Sequence, residues 1–171
     1  MTAVKYDGDD EGVARLLAGA AALVGSVRNC WLITRPDRTV TARPMGVVAL
    51  ENSDHDWKLV FLTDGRSRKS SEIDRAGNVI VIVQREPGEA YATFSSRAAK
   101  ITDPAVVASR WKEAYGRYFP NEADRLNAIF IEITIERMEL WIRGVTPEPF
   151  GFVPTVVERV GGVWRLDSPA H

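Results

Sequence analysis

Apolar and polar positions along the chain follow two periods, in separate blocks. Near the start, Val13, Leu16, Leu17, Ala20 and Val24 recur at helical spacing behind Asp9 and Asp10. That spacing puts one apolar stripe on a helix, acids suit its positive end, and Gly25-Ser26 predicts its stop. The middle of the chain reads as strands. Asn29–Arg35 is the first, broken by the turn signal Pro36-Asp37-Arg38, and Thr39–Leu50 is the second. A polar loop, Glu51–Asp56, leads to a third strand at Trp57–Thr63. A short helical pattern follows at Ser67–Arg75, then Gly77-Asn78 restarts the chain. Val79–Gln84, rich in β-branched residues, is the fourth strand, and Glu86-Pro87-Gly88-Glu89 turns it into a fifth at Ala90–Ile101.

Asp103-Pro104 predicts a helix start, because Asp caps well and Pro suits the first helical position. Val107, Trp111, Ala114, Tyr115 and Tyr118 fall on one helical face, which predicts a helix running to Pro120. Ala128–Ile135 is a sixth strand that Glu139–Arg143 extends or follows. Thr155–Val160 and Val163–Leu166 flank Gly161-Gly162 and predict a hairpin. Strands joined mostly by short loops do not suit a doubly wound parallel sheet. They predict a mainly β, α+β chain: a small antiparallel barrel with peripheral helices.

Composition narrows this only a little. The 171 residues suit one domain over 1–171, with an ordinary 45% hydrophobic and 26% charged content. The Pro/Gly-rich stretch 144–154 sets the last hairpin apart as an extension, not a second domain. A net charge of −1 gives no global field for nucleic acid or an anionic membrane, and neither is expected as a partner. One cysteine, Cys30, excludes an intrachain disulfide and fits a reducing compartment. No apolar run approaches the ~20 residues a spanning helix needs. The acidic, polar start does not resemble a signal peptide, so a soluble cytoplasmic protein is expected.

Candidate chemistry concentrates in WKLVFLTDGRSRKSSEI, Trp57–Ile73. A strand ends, Asp64 and Gly65 turn the chain, and Arg66, Ser67, Arg68 and Lys69 crowd the start of a helix. Cations, hydroxyls and unpaired helix N–H groups on one point are how a protein holds a phosphate monoester. The plainer reading is a solvated basic turn with Ser67 as a helix cap. A second segment, TARPMGV at Thr41–Val47, carries Pro44 inside a strand pattern. Pro there marks an edge or irregularity whose free backbone could meet the rim of a planar heterocycle, with Met45 against its face. The plainer reading is an edge strand with an exposed Arg43. Of Trp31, Trp57, Trp111, Trp141 and Trp164, any could stack on a ligand, but most are expected in the core, Trp111 among them.

Several mechanisms lack support. His55 and His171 are the two imidazoles, and His171, the last residue, is expected to be mobile. Cys30 and His55 have no nucleophile motif around them. Consecutive side chains in Asp54-His55-Asp56 diverge, and no zinc-ligand spacing occurs. Neither GxGxxG nor GxxxxGK[ST] occurs. With no acid–base team of its own, the chain would borrow its chemistry from a cofactor.

Three stretches in order resemble the pyridoxamine 5′-phosphate oxidase-related superfamily of FMN-binding split barrels, and its general-stress-protein branch in particular. They are TARPMGVV at Thr41–Val48, LVFLTDGRSRKSSEI at Leu59–Ile73, and DPAVVASRWKEAYGRYFP at Asp103–Pro120 followed by IFIEITIERMELW at Ile129–Trp141. The resemblance covers about 11–143 and leaves 144–171 as a C-terminal extension. It implies a six-stranded antiparallel split β-barrel and a homodimer with two FMN sites at the subunit interface. By the same resemblance Arg43, Pro44 and Met45 border the flavin ring, and Leu62, Thr63, Ser67, Arg68 and Lys69 hold the ribityl phosphate. Trp141 approaches the flavin from the partner subunit. Tyr91–Ala98 departs from the branch's usual strand ending in glycine. The basic, histidine-bearing C-terminal signature of true pyridoxamine phosphate oxidases is missing from FGFVPTVVERVGGVWRLDSPAH, which argues against vitamin B6 oxidation. The expected activity is an FMN-dependent oxidoreductase acting on an unidentified small molecule, with a reductant such as NAD(P)H. The alternative is a non-catalytic stress or sensing module that carries FMN or haem.

Overall fold

The computed structural model describes residues 9–53, 56–152 and 154–167. The expectations for the acidic first residues, for His55 and for His171 fall outside the described residues. The elements are α1 (Asp9–Ser26), β1 (Asn29–Thr34), β2 (Thr41–Asn52), β3 (Trp57–Asp64), α2 (Arg68–Ala76), β4 (Asn78–Arg85), β5 (Ala90–Ile101) and α3 (Pro104–Arg110). A 3-10 turn at Glu113–Arg117, α4 (Glu122–Arg125), β6 (Ala128–Ile142), β7 (Thr155–Val160) and β8 (Val163–Leu166) complete them.

All strand pairs are antiparallel, in the order β3-β2-β1-β4-β5-β6-β7-β8. An additional β3–β6 pairing closes the first six strands into a barrel. This is the expected fold class, with the hairpin β7–β8 added to the same sheet. The run Glu139–Arg143 belongs to β6 itself as far as Ile142. That strand serves two partners along one edge: Ala128–Thr134 pair with β3, and Arg137–Leu140 with β7. Between them, Ser95 pairs with Arg137 and Ser96 with Ile135, so Glu136 is an extra residue. Such a bulge bends a strand, here where it changes partners.

The interior follows period two on the strands and the helical stripe on α1. Phe61, Phe94, Leu32, Ile133 and Leu140 are fully buried. Val13, Leu16, Ala20, Leu23 and Val24 of α1 join the same cluster, as does Trp164 of β8. Burying each large apolar side chain contributes about 1.5–3 kcal/mol, which fixes helix and barrel together. Gly19 lets α1 approach closely, since a Cβ there would lie 2.7 Å from Val145 Cγ1.

One helix is shorter than its pattern predicts. α3 stops at Arg110, and Trp111 is extended at φ −66, ψ 135. The break allows the Trp111 ring to meet Tyr115 and Phe119 edge-on, with centroids at 5.7 and 5.9 Å. Tyr115 in turn packs on Phe130 of the barrel. That aromatic contact outweighs the modest propensity of a continued helix. Tyr118, on the predicted apolar face, is 56% exposed. No helix of the described residues is long and apolar enough to cross a membrane.

Candidate functional site

β2 and β3 are ladder partners only from Val47↔Phe61 to Asn52↔Trp57. Before Val47, Thr41–Gly46 pair with β1 alone, and after Phe61, Leu62–Asp64 pair with β6 alone. The two strands therefore part at one end and leave a cleft whose lips carry backbone groups without a ladder partner. Pro44, which cannot donate, falls within the open stretch of β2.

Asp64 ends β3, and a tight turn delivers the chain to α2: the Ser67 N–H donates to the Asp64 carbonyl at 3.1 Å. The helix buries Ser70, Glu72 and Ile73. Ser67 occupies the N-cap position, yet its side chain makes no capping hydrogen bond. Its hydroxyl is buried without a partner among the described residues. The cap reading of Ser67 thus leaves its oxygen unexplained.

The neighbouring cations divide into committed and uncommitted groups. Arg66 turns back onto Asp64 at 2.6 Å, and that bond holds the Asp64 carboxyl below its usual range. Arg68 is 77% exposed, and its Nε pairs with Glu72 at 3.1 Å. Arg43 of β2 donates through Nη2 to the Thr34 hydroxyl at 2.9 Å and also pairs with Glu72. Thr34 in turn donates to Glu72 Oε2 at 2.8 Å. Burial alone would push the Glu72 carboxyl up. The bonds from Arg43 and Thr34, with the charges of Arg43 and Arg68, outweigh it and hold that carboxyl below the usual range.

Lys69 has no carboxylate within ion-pairing distance among the described residues. Burial, and then the nearby Arg43 charge, depress its pKa, with Asp64 offsetting them in part. Arg43 Nη1 is likewise buried and unpartnered. A half-buried ammonium, an orphaned guanidinium nitrogen and an orphaned hydroxyl thus gather where α2 begins. Native proteins rarely leave such donors unsatisfied. Ser96 Oγ, Arg110 Nη1, Arg159 Nε and Trp164 Nε1 are orphaned elsewhere, but only here, among the described residues, does a half-buried, unpaired ammonium accompany them. The free N–H groups of the first helical turn add to the same field.

The other predicted residues are distributed unevenly. Leu62 is half-buried, and Thr63 is buried on the β3 lip. Pro44 is exposed, but Met45 is buried at 7% in the barrel core, which does not present its side chain as the expected apolar wall of an open slot. Trp141 lies near the far end of β6 from Ile129, the residue paired with Thr63, so one chain does not bring Trp141 to Ser67 and Lys69. Its cross-strand neighbour is Tyr91, whose hydroxyl bonds Glu86. Cys30 is buried, donates to the Met45 carbonyl at 3.6 Å, and is pushed up to about 12, so it is no nucleophile at neutral pH. Sequence reasoning missed Thr34 and Glu72. The one available signal was the four-residue spacing of Arg68 and Glu72, since Thr34 meets them only through the barrel.

The fold is a six-stranded antiparallel split barrel with a basic turn at the open end of its β2–β3 seam. A family model described as pyridoxamine 5′-phosphate oxidase like matches residues 18–150, and the chain belongs to that family. A protein from Clostridium acetobutylicum related to general stress protein 26 is 15% identical, with a TM-score of 0.64 over 75% of this chain and 89% of that one. A pyridoxamine 5′-phosphate oxidase-related, FMN binding protein from Nostoc punctiforme is 16% identical, with a TM-score of 0.66 over 90% and 95%. PhzG from Burkholderia lata, solved with tetrahydrophenazine-1-carboxylic acid, is 15% identical, with a TM-score of 0.60 over 98% and 96%. At these identities the solved structures show a shared fold. No curated protein matches the chain.

Proposed function

We propose that the chain is a cytoplasmic FMN-binding flavoprotein, an oxidoreductase that acts on a small molecule as a homodimer. The observation that carries this reading is the set of unsatisfied donors at the start of α2: Ser67 Oγ, Arg43 Nη1 and Lys69. They suit a phosphate monoester dianion. Family membership and the FMN-binding neighbour favour a flavin as its bearer. Lys69 and Arg68 would neutralise the phosphate, Ser67, Thr63 and Arg43 Nη1 would donate to it, Leu62 would line the ribityl chain, and the backbone lip at Arg43–Met45 would border the ring. Bound FMN would supply reversible electron transfer between a reductant such as NAD(P)H and the substrate. This chain's residues would bind and orient it.

The outer sheet face supports the dimer. Trp31 and Ile80 are exposed at 44% and 40%, and cross-strand registers put Pro44, Trp31 and Ile82 in one row and Ala42, Ile33 and Ile80 in the next. A groove of about 480 Å³ continues this face past Ile33, Ile80 and Ser95. The family resemblance implies that Trp141 reaches the cleft from a second copy, and within one chain Trp141 lies near the far end of β6 from Ile129.

The test is an absorbance spectrum of freshly purified protein, with mass spectrometry of whatever denaturation releases. Flavin bands, a released mass of FMN and bleaching by NAD(P)H are expected. A colourless protein that ignores added FMN would sink the reading, and uptake of haem instead would favour a non-catalytic carrier.

A further inference from the structure

Glu72 is a costly residue to place where it is. Its side chain is 5% exposed, and burying a carboxylate is worthwhile only if its charge is matched and its lone pairs are filled. Three donors from three elements do this. Thr34 comes from β1, Arg43 from β2 and Arg68 from the helix that carries Glu72 itself. An apolar residue at this position would pack α2 on the barrel without that cost. A role in stability alone therefore does not explain the choice.

The geometry explains it differently. Arg43 lies near the Lys69 ammonium, which repels it, and a free arginine side chain would rotate away. Glu72 and Thr34 hold it instead through a closed triangle. Arg43 Nη2 donates to Thr34, Thr34 donates to Glu72, and Glu72 accepts from Arg43. Thr34 is 1% exposed and the Glu72 side chain 5%, so two corners of the triangle are shielded from competing water. With Nη2 committed, Nη1 is left buried and, among the described residues, unpartnered. A guanidinium is rigid and planar, so fixing one terminal nitrogen fixes the direction of the other.

We propose that Glu72 is a positioning residue, whose carboxylate locks the Arg43 guanidinium so that Nη1 is presented to the phosphate of the bound ligand. This rests on the FMN reading above. Glu72 touches no ligand, and its effect passes chiefly through Arg43, because the Arg68 it also pairs with is 77% exposed and screened. The arrangement lowers the conformational entropy that Arg43 loses on binding and leaves the cradle formed before the ligand arrives.

The experiment is a double-mutant cycle read by quenching of flavin fluorescence, with FMN and riboflavin titrated separately into the full chain. The proteins are the natural chain, Glu72→Gln, Arg43→Ala and the double variant. Glu72→Gln should raise the FMN Kd about tenfold while riboflavin stays within about twofold. In the Arg43→Ala background the same change should have almost no effect, because the two residues act as one unit. Equal weakening of both ligands, no weakening of FMN, or an undiminished effect without Arg43 would each overturn the proposal. A natural chain that binds FMN no better than riboflavin would remove the phosphate reading along with it. If FMN is preferred and Glu72→Gln keeps that preference, the positioning role alone falls. Should Glu72→Gln fail to fold, Thr34→Val removes the bridging hydroxyl and keeps the carboxylate. It should then cost FMN affinity selectively, and an equal cost for riboflavin would overturn the role.

Discussion

Lys69 and Arg68 are adjacent cations whose surroundings give them different weights. Arg68 is mostly exposed and already holds Glu72, so its contact with a ligand is screened and shared. Lys69 is half-buried, and burial and Arg43 depress its pKa. A bound dianion would relieve both penalties. Lys69→Ala should therefore weaken FMN binding by about 1.5–3 kcal/mol, the range for a hydrogen bond to a charged group. Arg68→Ala should cost less, about 0–1 kcal/mol. Isothermal titration with FMN and riboflavin checks the order. A larger loss at Arg68, or losses matched by riboflavin, would contradict this division of roles.

Among the elements, the parting of β2 from β3 matters most for the site. Pro44 forewarned of it, since proline in a strand implies an irregular ladder. The registers then show where pairing stops, at Val47 and Phe61. α3 teaches the opposite lesson. Its start was legible, because Asp103 Oδ1 accepts from the N–H groups of Ala105 and Val106 at 2.8 and 3.3 Å. Its end was not, because helical periodicity through Tyr118 cannot register that Trp111 gains more by joining Tyr115 and Phe119. Asp103→Ala should cost about 1 kcal/mol of stability. Thermal unfolding should then shift down by about 2–4 °C, with Asp103→Asn near the natural value. An unchanged midpoint for the alanine variant would show that the cap does not hold α3.

At the scale of the whole molecule, the proposed dimer would complete a site that one chain makes only in part. The basic turn lies at one end of β6 and Trp141 near the other, and the outer face of β2, β1 and β4 exposes Trp31 and Ile80. Light scattering at micromolar concentration should give twice the 19.0 kDa of one chain. Trp31→Glu places a charge in the middle of that face, where desolvating it would be costly. The variant should move toward the monomer mass and lose FMN affinity together. A natural chain that stays at 19.0 kDa, or a monomeric variant that keeps full affinity, would exclude a shared site.

Local patterns were enough to set the strands, the first helix, the terminal hairpin and the basic turn, because period, caps and turn residues act over a few neighbours. They also implied that Ser67–Lys69 begins a helix. Which cations remain free there is another matter. Asp64 removes Arg66, and Glu72 engages Arg68 and Arg43, while Lys69 and the Ser67 hydroxyl stay unpaired among the described residues. That outcome depends on Thr34 and Arg43 arriving from two other strands. Only closure of the barrel brings together charges so far apart along the chain, and Coulomb forces at short range then decide which are satisfied.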